Sequence, residues 1–273
     1  IYTLSLHDAL PILVIPIPNS EKEKYLTGYD PDLYPNVDWM KTVFRSYSPN
    51  MKAGLNITGG GKEYKYYISG NYYREEGMYN PIKNPNYNSS VAFNRFSFRS
   101  NIEVDITNST KLTLNLANQY DMRNRLGENH STLWRGILQT PNISLPIIYS
   151  DGKYAKMKPA DSINPYYSLN FTGFSRDTWF NSQSLIGITQ DFSELITKGL
   201  SMNVKFSWDA VNSNVIDQRK KPNTYYALGR DTNGNINYEE TYSGSDYLSL
   251  SRTNRGAKTI ITKIGRASCR ERV

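Results

Sequence analysis

The sequence predicts an all-β chain, an antiparallel transmembrane β-barrel segment with long extracellular loops, and three observations carry that expectation. Apolar and polar residues alternate over several stretches. The connections between those stretches are alternately short and long. Tyrosine is abundant, 22 of 273 residues, in a chain whose mean hydropathy is only −0.60. Alternation at period two gives a strand one apolar and one polar face. Tight turns at one end and long loops at the other are how an outer-membrane barrel crosses a bilayer back and forth. Tyrosine suits a boundary between water and hydrocarbon, because its ring is apolar and its hydroxyl is not.

The clearest strand is RFSFRSNIEVDI, residues 95–106. Phe96, Phe98, Ile102, Val104 and Ile106 share one face, opposite Arg95, Ser97, Arg99, Asn101, Glu103 and Asp105. LSMNVKFSWDA (200–210) and KLTLNLANQY (111–120) repeat the pattern, and weaker versions run over 51–58, 63–73, 181–192 and 247–255. About seven strands result, each near or above the ~9–11 residues that a tilted membrane strand needs. GGGK (59–62), TNST (107–110) and SELITK (193–198) are the short connections, whereas 75–92, 124–176 and 213–246 are long polar linkers. The strand at 51–58 precedes a short turn, so it should run toward the periplasm. The apolar face should meet lipid and the polar face a wet lumen, with Tyr64, Tyr66, Tyr72, Tyr73 and Tyr120 at the membrane boundaries. The same alternation also fits a soluble β-sandwich whose second face is solvated.

Composition narrows the function. The net charge is +7, but the basic residues are scattered and no zinc-finger or RNA-binding signature accompanies them, so no nucleic acid is expected as partner. No run of ~18 apolar residues provides a membrane helix. The one apolar opening, LVIPIP from Leu13 to Pro18, is broken by prolines and reads poorly as a signal peptide.

Reaction machinery does not emerge. GGGKE lacks the spacing of a phosphate-binding loop and reads as a hairpin turn. His7 and His130, the only histidines, stand outside any ligand or triad cluster. Glu75-Glu76 and Glu239-Glu240 are adjacent, so on a strand they face opposite sides and cannot act as an acid/base pair. The chain is therefore not expected to be an enzyme, and no cofactor is expected. The one opening for an ion is the loop at Asp231, where DTNGN starts like a calcium loop but Tyr242 stands where the twelfth-position glutamate belongs. Asn56, Asn108 and Asn170 begin formal glycosylation sequons that carry little weight outside a eukaryotic secretory setting.

The linker 124–176 is richer. STLWRGILQTP (131–141) reads as one or two helical turns stopped by proline, and LPIIYSDGKYA as strand-turn-strand around Asp151-Gly152. Trp134, Tyr149 and Tyr154, with Tyr166 and Tyr167 nearby, are candidates for stacking on a substrate such as a sugar. Packing of the linker onto itself is the competing role for the same rings.

Several stretches, in order, resemble the SusC/RagA family of TonB-linked outer-membrane transporters. They are DPDLYPNVDWMKTVF (30–44), with Asp38-Trp39 ahead of Phe44; LNITGGGKEYKYYISGNYYREEGMYN (55–80), with Gly59, Gly60 and Gly61 at its turn; FRSNIEVDITNSTKLTLN (98–115); and ITQDFSELITKGLSMNVKFSWD (188–209), with Gly199 in its Lys-Gly-Leu turn. The resemblance covers about residues 30–263. It implies a segment of a 22-stranded barrel in a Gram-negative outer membrane, importing oligosaccharides or peptides with a SusD-like surface lipoprotein and energised by the TonB complex. Residues 13–50 would then be an extracellular-side approach to the barrel, and 51–263 the barrel segment itself. The plug, the TonB box, the signal peptide and the closing strand that the family carries are not found, and contact with TonB would run through N-terminal regions outside this sequence. The remaining alternatives are a carbohydrate-binding β-sandwich, a passive porin or an adhesin. A segment of about seven strands has two unpaired edges, so on its own it should aggregate or stay unfolded.

The termini read differently. Ile264–Val273 back-translates to a strand whose reverse complement, with flanking bases and a shifted frame, encodes Tyr2–Ile12 of the same chain. That oligonucleotide looks like a sequencing-library adapter, so 1–12 and 264–273 are expected to be artefact and are set aside from fold reasoning. Cys269 among its arginines then loses all meaning as a reactive thiol, and His130 is the one histidine left. Resequencing the locus beyond both ends should replace these residues with unrelated sequence; recovering them unchanged overturns the adapter origin.

Overall fold

The computed structural model describes residues 18–83, 86–158, 163–264 and 268–269. The expected artefact at 1–12 lies outside the described residues, as does most of 264–273. Helices α1 (Asn19–Thr27) and α2 (Trp39–Val43) lead into strands β1 (Asn50–Gly60), β2 (Tyr64–Glu76), β3 (Ala92–Thr107) and β4 (Thr110–Leu126). Helix α3 (His130–Gln139), strand β5 (Tyr154–Ala155) and helix α4 (Pro165–Asn170) follow. Then come β6 (Gly173–Asp191), β7 (Leu200–Lys221), β8 (Thr224–Arg230), β9 (Ile236–Tyr242), β10 (Ser245–Ile264) and β11 (Ser268–Cys269).

The long strands form one antiparallel sheet in the order β1-β2-β3-β4-β6-β7-β10, with the short β11 beside β7. It is an open, partial barrel wall, not two packed layers, which removes the sandwich alternative. All seven strands expected from alternation are present, and all are longer than expected. The gain lies mainly at the long-loop end: β6 starts at Gly173 rather than near 181, and β7 runs to Lys221 rather than 210. The reason is burial on both faces. Gly173, Phe174, Ser175 and Asp177 are all buried, so no alternation marks that stretch.

Register sorts the side chains onto two faces. Tyr72, Phe96, Tyr120 and Phe180 are successive cross-strand partners and form an aromatic row near the long-loop end. Their rings lie 4.8 Å (Tyr72–Phe96) and 6.5 Å (Phe96–Tyr120) apart. Tyr64 and Tyr66 stack at 6.3 Å near the short turns. Between these belts the same face exposes Leu55, Ile57, Phe98, Ile186, Phe206 and Trp208. From Tyr64 to Tyr72 the strand rises by about 26 Å at roughly 3.3 Å per residue, which matches an apolar band of about 25 Å before tilt is counted. Tyr73 corrects one expectation. As Tyr72's neighbour it must point the other way, and it joins the polar face with Arg95 and Asp121.

The largest departure concerns the long linkers. They are not loose polar strings but one packed cap, built with the segment from α1 to Phe44. Val37, Trp39, Val43, Leu126, Leu133 and Leu145 belong to a single buried cluster drawn from that segment, the end of β4 and the α3 region. The β8–β9 hairpin packs its own tyrosines against it, and β5 pairs parallel with β8. Helix α3 confirms the expected helical turns and is longer. Around Asp151-Gly152 the expected turn forms, with Gly152 at φ +85°, but only Tyr154–Ala155 is a strand, and its partner is β8 instead of 145–149. Gly136 on α3 is required by packing: a Cβ there would lie 2.6 Å from Cγ2 of Ile163.

A salt-bridge clamp joins three parts of this cap. The Arg230 guanidinium at the end of β8 donates to both oxygens of Asp30, at 2.6 and 2.8 Å, and to Asp32 at 2.9 Å. Asp32 also accepts from the Ser150 backbone N–H at 2.9 Å and its hydroxyl at 2.7 Å. Asp30 and Asp32 are nearly buried, so loss of the arginine strands two carboxylates. The Arg230 hydrogen bond holds the Asp30 carboxyl below its usual range, against the opposing effect of burial.

Two outcomes follow for the intact receptor. Leu133→Ala keeps helix propensity but opens a cavity in the cap core, and should cost about 2–4 kcal/mol; hydrogen exchange should show faster opening of α3 amides with sheet protection unchanged. Because the Asp30 carboxyl titrates lower when folded, its contribution is fully present above the unfolded carboxylate value near 4 and is lost as pH falls through the folded one. Cap protection should therefore drop below about pH 4. Arg230→Met should weaken the cap by about 2–3 kcal/mol at neutral pH and flatten that acid limb. An unchanged acid limb in the variant would assign it to other carboxylates.

Candidate functional site

The surface best suited to a solute is the polar face of the sheet. Ser69, Arg99, Ala117 and Gln183 form one cross-strand row, and Asn71, Ser97, Gln119 and Asn181 the next. Together with Tyr67 they line a groove of about 380 Å³. It is a ladder of amides and hydroxyls with one guanidinium. Toward the long-loop end it gives way to charged pairs: Arg95 grips Asp121 through two bonds of 2.8 and 2.9 Å, and Arg125 meets Asp177 at 2.6 Å. Such a wall can exchange hydrogen bonds with a hydrated polar solute sliding past it. It carries no nucleophile beside a base and no close carboxylate pair. The sequence marked this face only as the polar half of an alternation; the groove itself comes from register, which aligns small and amide side chains on four neighbouring strands.

The aromatic candidates separate. Trp134 keeps 42% of its surface exposed and touches Phe44 at 5.1 Å, so its ring remains available. Tyr149 does not: it is 2% exposed, edge-on to Tyr238 at 5.0 Å, and its hydroxyl accepts the Ala227 N–H at 2.9 Å. Burial pushes that hydroxyl up to about 12, so it stays a neutral phenol. A substrate-stacking role for Tyr149 is thus corrected to a core role. Tyr154 lies against Phe171 at 4.4 Å and Tyr167 at 5.5 Å, which leaves its ring engaged within the cap.

The motif residues are architectural. Asp38 caps α2 by accepting the Lys41 N–H at 3.1 Å, and this sets Trp39, 2% exposed, into the cap core. Gly59 and Gly60 lie within β1 and only Gly61 is in the turn, none with positive φ. They are small because Tyr66 and Tyr64 fold back over them; a Cβ on Gly60 would come within 2.6 Å of the Tyr64 carbonyl. Gly199 does need its freedom, at φ +79° in the β6–β7 turn. His130 stacks on Tyr79, with Nδ1 3.2 Å from the tyrosine hydroxyl, and burial followed by Arg125 pushes its pKa down. At Asp231 both carboxylate oxygens serve the turn, accepting from Asn233 N, Asn235 N and Asn235 Nδ2. Among the described residues no group of three His, Cys, Asp or Glu side chains is placed to hold a metal.

No protein-family profile matches the chain. Two curated receptors of Formosa agariphila do. TonB-dependent receptor P3 is 29% identical over 140 residues, 49% of this chain and 13% of the receptor. TonB-dependent receptor P26 is 29% identical over 113 residues, 41% of this chain and 9% of the receptor. The chain thus spans a small part of the relatives it matches. Among solved structures, the RagAB peptide importer in its closed-closed state superposes with a TM-score of 0.50 at 22% identity, over 77% of this chain and 23% of that one. That likeness establishes the fold. By sequence the chain is similar to part of TonB-dependent receptors, and by strand order and fold to part of the barrel of the RagAB importer.

Proposed function

We propose that this segment supplies part of the wall and outer cap of a TonB-dependent importer in a Gram-negative outer membrane, moving oligosaccharides or peptides inward. The observation that carries the reading is the two-faced sheet: an exposed apolar band between aromatic belts on one side, a hydrogen-bonding groove on the other. Kinship with TonB-dependent receptors supports an energised route rather than a passive pore. The groove's amides and hydroxyls suit both cargo types, since sugars and peptide backbones present closely spaced donors and acceptors. The resemblance adds a SusD-like lipoprotein over the cap as partner and TonB, reached through other regions of the receptor. The apolar face is the lipid contact.

Deletion of the locus in its host, with uptake of labelled oligosaccharide and peptide pools, tests this. Uptake should disappear on deletion and also when a protonophore collapses the inner-membrane gradient. Uptake that needs the gene but survives the protonophore would make the protein a passive porin.

A further inference from the structure

A second cavity, of about 200 Å³, lies inside the cap where α3, α4 and β5 meet the ends of β7 and β8. Among the described residues its wall holds Arg135 and Lys221 with one carboxylate, Glu128, and Lys156 beside them. Several other cations of the cap meet a carboxylate: Arg230 with Asp30, Lys153 with Asp151, Lys158 with Glu239, and Lys220, next in sequence to Lys221, with Asp246 at 2.8 Å. Arg135 and Lys221 have no carboxylate partner among the described residues. Lys156 sits 5.7 Å above the Tyr242 ring.

The polar groups of the floor already have partners. The Asn164 side chain, 2% exposed, accepts from the Tyr166 and Tyr167 backbone N–H groups and donates to the Ala155 carbonyl. Thr224, 1% exposed, shares a 2.9 Å hydroxyl bond with Thr241, and Tyr167 donates to the Pro222 carbonyl at 3.1 Å. Glu128 is occupied at the rim by the Asn129 N–H at 2.9 Å. Arg135 and Lys221 are left lining a small space with no carboxylate partner among the described residues. About 200 Å³ is below the usual range for a whole ligand and fits one residue or one sugar ring.

We propose that this cavity binds the carboxylate of the transported solute, either a peptide carboxylate or that of a uronic acid. Arg135 on α3 supplies a planar fork of donors and Lys221 at the end of β7 a point charge, and charge-assisted bonds to a carboxylate are the strong ones. This selectivity rests on the import reading, which gives the cap a solute to meet.

Calorimetry on the intact receptor in detergent tests the assignment with two matched pairs: acetyl-dialanine against its amide, and methyl glucuronide against methyl glucoside. At least one acid should bind about tenfold tighter than its neutral partner, and which pair discriminates identifies the source of the carboxylate. Arg135→Met and Lys221→Met should each remove about tenfold for the acid and nothing for the neutral probe, while Glu128→Gln should tighten the acid. Both cations are exposed, so melting should not change. Equal binding of acid and neutral probes, tighter binding of inorganic phosphate than of either acid, or variants without effect would overturn the proposal. Energised uptake measured in parallel separates the two readings. Lost discrimination with uptake intact sinks the pocket alone; discrimination without energised uptake sinks the import reading and leaves the pocket standing.

Discussion

A wall between hydrocarbon and water must satisfy every backbone N–H and C=O within itself, because the lipid side offers no partner. In this chain that condition is met by a continuous antiparallel sheet from β1 to β10, irregular only near the ends of β3–β4 and β7–β10, and most other features follow from it. Once the backbone is committed to the ladder, successive side chains can only point to opposite media. The period-two alternation is the sequence's record of that geometry. So are the short turns, which need only reverse the chain. The partners of β1 and β10 on their outer edges are the one place where the condition is left open among the described residues.

Beyond the aromatic row the condition lapses and the physics changes. Water is available there, so the connections are free to form helices, hairpins and a core of their own. Connections this long are costly to order unless they bury apolar surface. The chain meets that cost with the Trp39–Leu133–Leu145 cluster and with the Arg230 clamp, which ties residues 200 positions apart in sequence. The tyrosine excess divides accordingly. Some rings stand in the aromatic belts of the sheet, as Tyr64 and Tyr72 do, and others, such as Tyr149 and Tyr238, build the cap.

This division decides how much was legible from sequence. The sheet was, strand by strand, because two contrasting media write a period into it. The cap was not, because its burial is three-dimensional and has no single period. Strand β8 reads TYYALGR and β9 INYEETY; both faces of that hairpin carry tyrosines and charges, so neither announces a core side. No sequence pattern pairs Asp30 and Asp32 with Arg230; only the fold brings the three together. Tyr149 and Trp134 are equally aromatic in sequence, and only packing tells the buried ring from the exposed one. For the groove the residues were visible but their alignment was not, since register across four strands is a property of pairing rather than composition.

The cap's dependence on long-range contacts also bears on what it can recognise. Its charged cavity takes Arg135 from α3, Lys221 from the end of β7, Lys156 from beside β5 and its floor from α4 and β8. No one connection makes it. A site assembled from several connections is only as well formed as the core beneath them, so the apolar cluster and the Arg230 clamp act on recognition without touching a solute. Preorganisation of that kind lowers the ordering cost of binding. It also makes substitutions in the clamp and in the core act on affinity in the same direction as on stability. A cap of independent loops would show no such coupling.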